Sequence, residues 1–327
     1  MYSAADLSIW TGRDDSAESG DVRRLFQIVR SSDTTKLPKD SAAILGFACD
    51  AGVARNKGRL GAFDGPDTIR KILAGLPAHH HQVLYDCGTV SCMDSDLESA
   101  QSELGKRIAN ILSNQVSPVI IGGGHEIAWG SFQGLKRWLT SLENAHATTN
   151  HPKRKLLILN LDAHFDLRTS RPGSSGTPFD QIATDCLNEG RPFKYACWGV
   201  SRIANTPALF DRARQLEADI LEDIHFQERQ LDAALSRLHH LLDDADDVYL
   251  TMDIDVLPAS VAPGVSAPAS LGVPLTVIET VAQSVKESGK MRLADLAEFN
   301  PRFDIDGHTA RAVARLVWGL LGTNSRA

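Results

Sequence analysis

The sequence predicts an α/β fold: one domain built on a mostly parallel sheet. Two observations carry that expectation. From Ser41 to Leu321, short apolar runs alternate with amphipathic stretches, the pattern of repeated strand–helix units. Several of the apolar runs have no polar face, as expected for central strands covered by helices on both sides. A length of 327 residues fits one large α/β unit, read here as a domain over 40–327 preceded by an arm over 1–39.

In chain order, residues 1–39 are polar and weakly periodic, and read as a partly ordered arm. The expected strands are AAILGFA at 42–48, SPVIIGG at 117–123, KLLILNL at 155–161, FKYACWGV at 193–200, DVYLTMDI at 247–254 and MRLADLAEF at 291–299. The expected helices are 98–114, 126–142, 207–217, 227–243, 275–289 and 308–321. The fourth shows the helical signature openly, with Leu231, Leu235 and Leu238 at helical spacing. Gly/Pro-rich stretches at 57–67, 169–178 and 257–274 read as loops, the last long enough to suit a functional role.

Composition excludes several classes. With 43% hydrophobic and 23% charged residues the chain is neither disordered nor fibrous. It carries 41 Asp plus Glu against 34 Lys plus Arg, a net charge of −7, and has no basic stripe, which argues against nucleic acid and anionic membranes as partners. No apolar run approaches the ~18 residues of a membrane helix, and the opening MYSAADLSIWTGRDD has no signal-peptide core. Five scattered cysteines (Cys49, Cys87, Cys92, Cys186, Cys197) form no disulfide framework and point to a reducing, cytoplasmic setting. The triple glycine Gly122–Gly124 lacks the rest of any nucleotide-binding pattern, His79–His81 reads as a solvated run, and Asp243, Asp244, Asp246 and Asp247 read as a charged turn.

The chemistry is expected beyond the carboxyl ends of the strands, where open α/β sheets bind their ligands. One strand ends in Asp162, His164 and Asp166, a second in Asp253 and Asp255, and a third in three glycines and His125. A spacing of two puts each set on one side of an extended chain. Four carboxylates and two imidazoles at buried strand ends need compensating cations, and two divalent ions balance four Asp charges. Carboxylate and imidazole without thiolate favour Mn²⁺ and permit Fe²⁺, Co²⁺ or Zn²⁺. Two such ions can lower the pKa of a shared water and make a nucleophile for an sp² carbon.

Gly-Gly-Gly-His125-Glu, Asp162-Ala-His164-Phe-Asp166 and Asp253-Ile-Asp255 resemble the metal motifs of the ureohydrolases, the arginase and agmatinase superfamily. The segment at 46–73 and the Glu298-Phe-Asn-Pro run resemble further parts of that pattern, in the expected order. The resemblance implies a three-layer αβα sandwich with a mostly parallel eight-stranded sheet. It implies two Mn²⁺ per subunit: one on His125, Asp162, Asp166 and Asp253, the other on Asp162, His164, Asp253 and Asp255. The DAHFDLR and SSGTPF strings and the Trp10-Thr-Gly-Arg-Asp opening are most similar to the branch that hydrolyses N-formimidoyl-L-glutamate to L-glutamate and formamide in histidine degradation. That implies a small-molecule substrate, with Glu298 binding the amidinium group, and is compatible with a homo-oligomer.

Three departures from arginases bear on the substrate. Ser175 stands where arginases carry a proton-shuttling histidine, Arg168 where they have Asn, and Arg202 near their Asp for the substrate amine. Two added cations suit a substrate rich in carboxylates, so Arg168, Ser175 and Arg202 are the expected substrate-binding residues. The rival readings are a ureohydrolase acting on a guanidino compound, a single-zinc deacetylase of related fold, and a non-catalytic binding protein. Six ligands for two ions argue against the last two.

Overall fold

The computed structural model describes residues 1–79, 83–145 and 153–322, so His80 and His81 of the histidine run lie outside the described residues. Its strands are β1 (Tyr2–Ser3), β2 (Val29–Ser31), β3 (Ala42–Ala48), β4 (Leu84–Ser91), β5 (Val119–Ile121), β6 (Leu156–Leu161), β7 (Lys194–Val200), β8 (Asp219–Glu222), β9 (Asp247–Asp253) and β10 (Met291–Ala297). Its helices are α1 (Leu25–Ile28), α2 (Ala51–Arg55), α3 (Gly65–Ala74), α4 (Leu97–Ser113), α5 (Ile127–Ala145), α6 (Pro178–Asn188), α7 (Pro207–Gln215), α8 (Leu231–Asp243), α9 (Leu275–Glu287) and α10 (His308–Leu321).

All strands join one ten-stranded sheet in the order β1-β4-β3-β5-β10-β9-β6-β7-β8, with β2 also on β4. The eight strands β3–β10 pair only in parallel with one another, the sheet expected from the family resemblance. The two further strands come from residues 1–39, with β1 antiparallel to β4. One sheet face packs against α3, α8, α9 and α10 through residues such as Leu73, Leu238, Val281 and Val317. The other packs against α4, α5, α6 and α7 through Ile108, Phe132, Phe179 and Phe210. The result is a three-layer αβα sandwich.

Residues 1–39 are more firmly docked than their polarity suggests. Trp10 is buried, and its indole Nε1 donates to Asp86 Oδ2 on β4 at 2.9 Å. Arg70 of α3 closes the same carboxylate from the other side, with Nε–Oδ2 2.8 Å and Nη2–Oδ1 2.9 Å. This buried charge pair is why β4 escapes a hydropathy reading: its central Asp86 looks like a loop residue until its partners are known. The stretches 57–67 and 169–178 read as loops run into the starts of α3 and α6, where Pro66 and Pro178 stand in a first helical turn and a missing N–H costs nothing.

Candidate metal centre

Four neighbouring strands in the middle of the sheet, β5, β10, β9 and β6, each deliver a site residue from their carboxyl ends. The chain leaves β5 on one side of this group and returns as β6 on the other, so the strand order reverses here and a crevice opens. His125 follows β5 after Gly122–Gly124. Gly123 has no alternative, since a Cβ there would lie 1.7 Å from the Cys49 carbonyl oxygen. Asp253 is the last residue of β9, Asp255 lies in the 3₁₀ turn behind it, and Glu298 directly follows β10.

The loop after β6 departs from the expected extended chain. Asp162 comes just past the strand, and by Asp166 the backbone is left-handed, with φ at 46°. Glu298 is left-handed too, with φ at 66°. Such conformations are rare for non-glycine residues and persist where surrounding contacts over-determine them. Here they turn both carboxylates back toward the cluster.

The convergence is tight. The Nδ1 atom of buried His125 has carboxylate Oδ2 atoms of Asp162, Asp166 and Asp253 at 3.1, 3.0 and 3.1 Å. A second group combines Asp162, His164 and Asp255, with His164 Nδ1–Asp255 Oδ2 at 2.9 Å. Within each group the ligand atoms lie within 4.8 Å of one another. Asp162 belongs to both groups; Asp253, expected to bridge, joins the first only.

These residues fit a cation. His125 Nε2 faces Thr251 Oγ1 at 3.0 Å, while Nδ1 is buried with no hydrogen bond of acceptable geometry. With the Nε2 proton donated to Thr251, the Nδ1 lone pair points at three carboxylates, an arrangement that a cation between them turns from repulsive to attractive. Carboxyl titration carries the same strain. Burial and the Asp162 charge push Asp166 up to about 6. Burial and the charges of Asp255 and Asp162 raise Asp253 well above the usual carboxylate range. Burial also opposes the charge on Asp162, but the imidazoles of His125 and His164 outweigh it and hold that carboxyl low. Bound divalent metal relieves this repulsion and keeps the carboxylates ionised.

A shell of side chains invisible to the sequence reading holds the ligands. Asn160 Nδ2 donates to Asp162 Oδ2 at 2.9 Å and to the Tyr195 hydroxyl at 3.0 Å. Asn205 accepts from the Phe165 N–H at 3.1 Å and donates to the Ala163 carbonyl at 2.8 Å, fixing the 162–166 loop. Asp253 Oδ1 accepts from the Asp255 N–H at 2.9 Å, locking the two carboxylates in register. Asn160 and Thr251 alternate with apolar residues inside strands, which is the only sequence signal they give.

The cluster opens into a cavity of about 320 Å³ lined by His164, Asp166, Asp253, Asp255 and Glu298, and by Arg168 and Ser175. Glu298 Oε1 accepts from the His125 N–H at 2.9 Å, while Oε2 is buried without a partner. Burial and the nearby Glu126 charge push Glu298 up to about 8, so a cationic partner is what would ionise it. Ser175 takes a hydrogen bond from Asn56 Nδ2 at 3.2 Å. The Arg168 guanidinium has no hydrogen bond or ion pair among the described residues. Arg202 is the exception among the expected residues: it does not line the cavity. Its guanidinium pairs with Glu222 on the surface and lies over the Phe210 ring, 4.9 Å from the centroid. A carboxylate twenty residues away along the chain claimed it, a pairing that only the β7–β8 neighbourhood creates.

The family model described as "Arginase family" matches residues 40–322. The formimidoylglutamase of Cupriavidus pinatubonensis (strain JMP 134 / LMG 1197) is 53% identical over 98% of this chain and 100% of its own length. That of Paraburkholderia xenovorans (strain LB400) is 51% identical, covering 96% of this chain and 98% of the relative. Among solved structures, Bacillus subtilis formimidoylglutamase superposes with a TM-score of 0.77 at 21% identity, covering 94% of this chain and 95% of that one. Trypanosoma cruzi formiminoglutamase with Mn²⁺ gives 0.75 at 21% identity, over 92% and 98%. The shared fold follows from the structures, and the match over most of the chain at high identity gives the family: this chain belongs to the arginase family.

Proposed function

We propose that the chain is a manganese hydrolase of linear amidines that converts N-formimidoyl-L-glutamate and water to L-glutamate and formamide, holding two Mn²⁺ per chain. One observation carries the reading: the ligand cluster opens on a cavity lined by a buried carboxyl oxygen and by a guanidinium that both lack a partner among the described residues. That is the charge complement of an amidinium joined to a carboxylate. The names of the relatives above, and the Mn²⁺ of the Trypanosoma cruzi structure, point the same way.

Manganese held by these groups supplies Lewis acidity and activates water toward an sp² carbon. The protein's own residues do the rest. Glu298 Oε2 binds the amidinium N–H groups by charge-assisted hydrogen bonds and orients the formimidoyl carbon toward the cluster. Arg168 offers a planar fork that matches a carboxylate bidentately. Asp166 lines the cavity and is placed to relay the proton lost by the attacking water to the leaving nitrogen, a task for which Ser175 lacks the basicity of an imidazole. Asp162, common to both groups, would be shared between the two ions, with His125, Asp166 and Asp253 completing one set and His164 and Asp255 the other.

No helix of the described residues is long and apolar enough to cross a membrane. The free cysteines suit a cytoplasmic enzyme, and a homo-oligomer is compatible with the resemblance. The test is formamide release from formimidoylglutamate after Mn²⁺ loading, beside arginine, agmatine and guanidino acids. Turnover confined to a guanidino compound would replace this reading with that of another ureohydrolase.

A further inference from the structure

Three cationic side chains line the cavity: Lys57, Arg59 and Arg168. Arg59 is already committed. Its guanidinium donates to the carbonyls of Val265 and Ser266 and stacks over Phe303, 4.1 Å from the ring centroid. Lys57 and Arg168 have no side-chain hydrogen bond or ion pair among the described residues. The cavity carboxylates Asp166, Asp253, Asp255 and Glu298 are accounted for by the cluster and the amidinium. Two cations are therefore left over.

Both are held on fixed backbone. Lys57 follows α2 in a left-handed turn, with φ at 63°, closed by its own N–H to Ala54 O at 3.0 Å and by Gly58 N–H to Val53 O at 2.9 Å. The Arg168 N–H donates to Gly176 O at 2.9 Å, so its backbone is tied to the 174–176 loop. Asn56 Nδ2 to Ser175 Oγ, at 3.2 Å, joins that loop to the turn carrying Lys57. The two free cations thus stand on tethered segments of one wall, with Arg168 two residues from a metal-cluster carboxylate and Lys57 on the separate turn after α2.

We propose that Lys57 and Arg168 form a two-carboxylate reading site, Arg168 taking the α-carboxylate and Lys57 the γ-carboxylate of the substrate. This rests on the function proposed above. The order follows from the substrate: its α-carboxylate is bonded directly to the carbon bearing the formimidoyl nitrogen, while its γ-carboxylate lies at the end of a flexible two-methylene arm. The rigid fork of Arg168 suits the near, fixed carboxylate, and the flexible ammonium of Lys57 suits the far one. Lys57 thereby sets side-chain specificity, a role that no metal motif carries.

The experiment compares two Mn²⁺-loaded proteins, wild type and Lys57→Gln, on two substrates, N-formimidoyl-L-glutamate and its γ-amide, N-formimidoyl-L-glutamine. The expected result is that the preference for the acid over the amide, as a ratio of kcat/KM, falls about tenfold in Lys57→Gln, mostly through KM. Calorimetry of L-glutamate against L-glutamine on the same proteins gives a readout without turnover, and the acid's advantage falls by a similar factor. A ratio unchanged within twofold while wild type releases formamide would overturn the Lys57 assignment and leave the function standing. Absence of formamide release, with glutamate binding still dependent on Lys57, would overturn the function and keep the two-carboxylate site.

Discussion

Thr251→Val removes one hydroxyl from the interior of β9 and changes almost nothing else in volume. The hydroxyl is fully buried and receives His125 Nε2 at 3.0 Å, beside the buried pair of Tyr249 and Asp295. In the metal-loaded protein His125 must offer its Nδ1 lone pair, so Nε2 keeps its proton and the ring cannot turn. Valine then leaves a buried N–H without a partner, at about 1–3 kcal/mol. Without metal the ring proton can instead sit on Nδ1 and donate to one of the three surrounding carboxylates, so the penalty falls on the loaded state. At about 1.4 kcal/mol per factor of ten, Mn²⁺ affinity at the His125 site drops roughly 10–100-fold. Competition with a chromogenic chelator measures it, and Thr251→Ser, which keeps the hydroxyl, is expected to stay near wild type. Equal affinity of the Val and Ser variants would refute the claim that Thr251 sets the imidazole tautomer.

Asp162 is the residue common to both ligand groups, so Asp162→Ala is expected to lose both ions on dialysis, whereas Asp255→Ala keeps the ion on His125; metal analysis separates the two. Glu298→Gln keeps the metals and lowers kcat/KM for the formamidine by about 100-fold or more, because a charge-assisted hydrogen bond becomes neutral; unchanged kinetics would remove Glu298 from the substrate. Lys286, buried between α9 and α10 with Nζ donating to Gly319 O at 2.7 Å, has its amine pushed down to about 8 by burial. The unfolded chain therefore binds more protons than the folded one between about pH 8 and 10.5, so this group's contribution to stability is greatest above 10.5 and is lost as pH falls through about 8. Relative to Lys286→Met, wild type should gain up to about 3 kcal/mol from pH 7 to 10.5 in denaturant titrations, and a flat difference would show that the amine is not desolvated.

The residues of the candidate metal centre were legible in the sequence because their chemistry is local. Each stands at the end of an apolar run, and a carboxylate or imidazole has no reason to be there without a cation. Six of the eight parallel strands, β3, β5, β6, β7, β9 and β10, were legible because they are predominantly apolar runs. β4 and β8 were not: β4 carries Asp86, neutralised by Arg70 and Trp10 from distant segments, and β8 is a half-buried edge strand. The N-terminal residues looked like a loose arm because their anchoring, through Trp10, depends on the same buried carboxylate.

The α/β layering and the residues that converge on the candidate centre were readable from the sequence, since apolar period and ligand type are properties of short segments. Partnership across the fold was decided only by tertiary structure. Arg202 and Arg168 look alike in sequence, yet one is taken by Glu222 on the surface and the other lines the cavity, unpaired among the described residues. Thr251 and Asn160 are ordinary strand residues until β9 and β6 bring them behind His125 and Asp162. The charge a side chain has left to offer depends on what else lies within a few ångströms of it, and in a parallel sheet those neighbours come from remote parts of the chain.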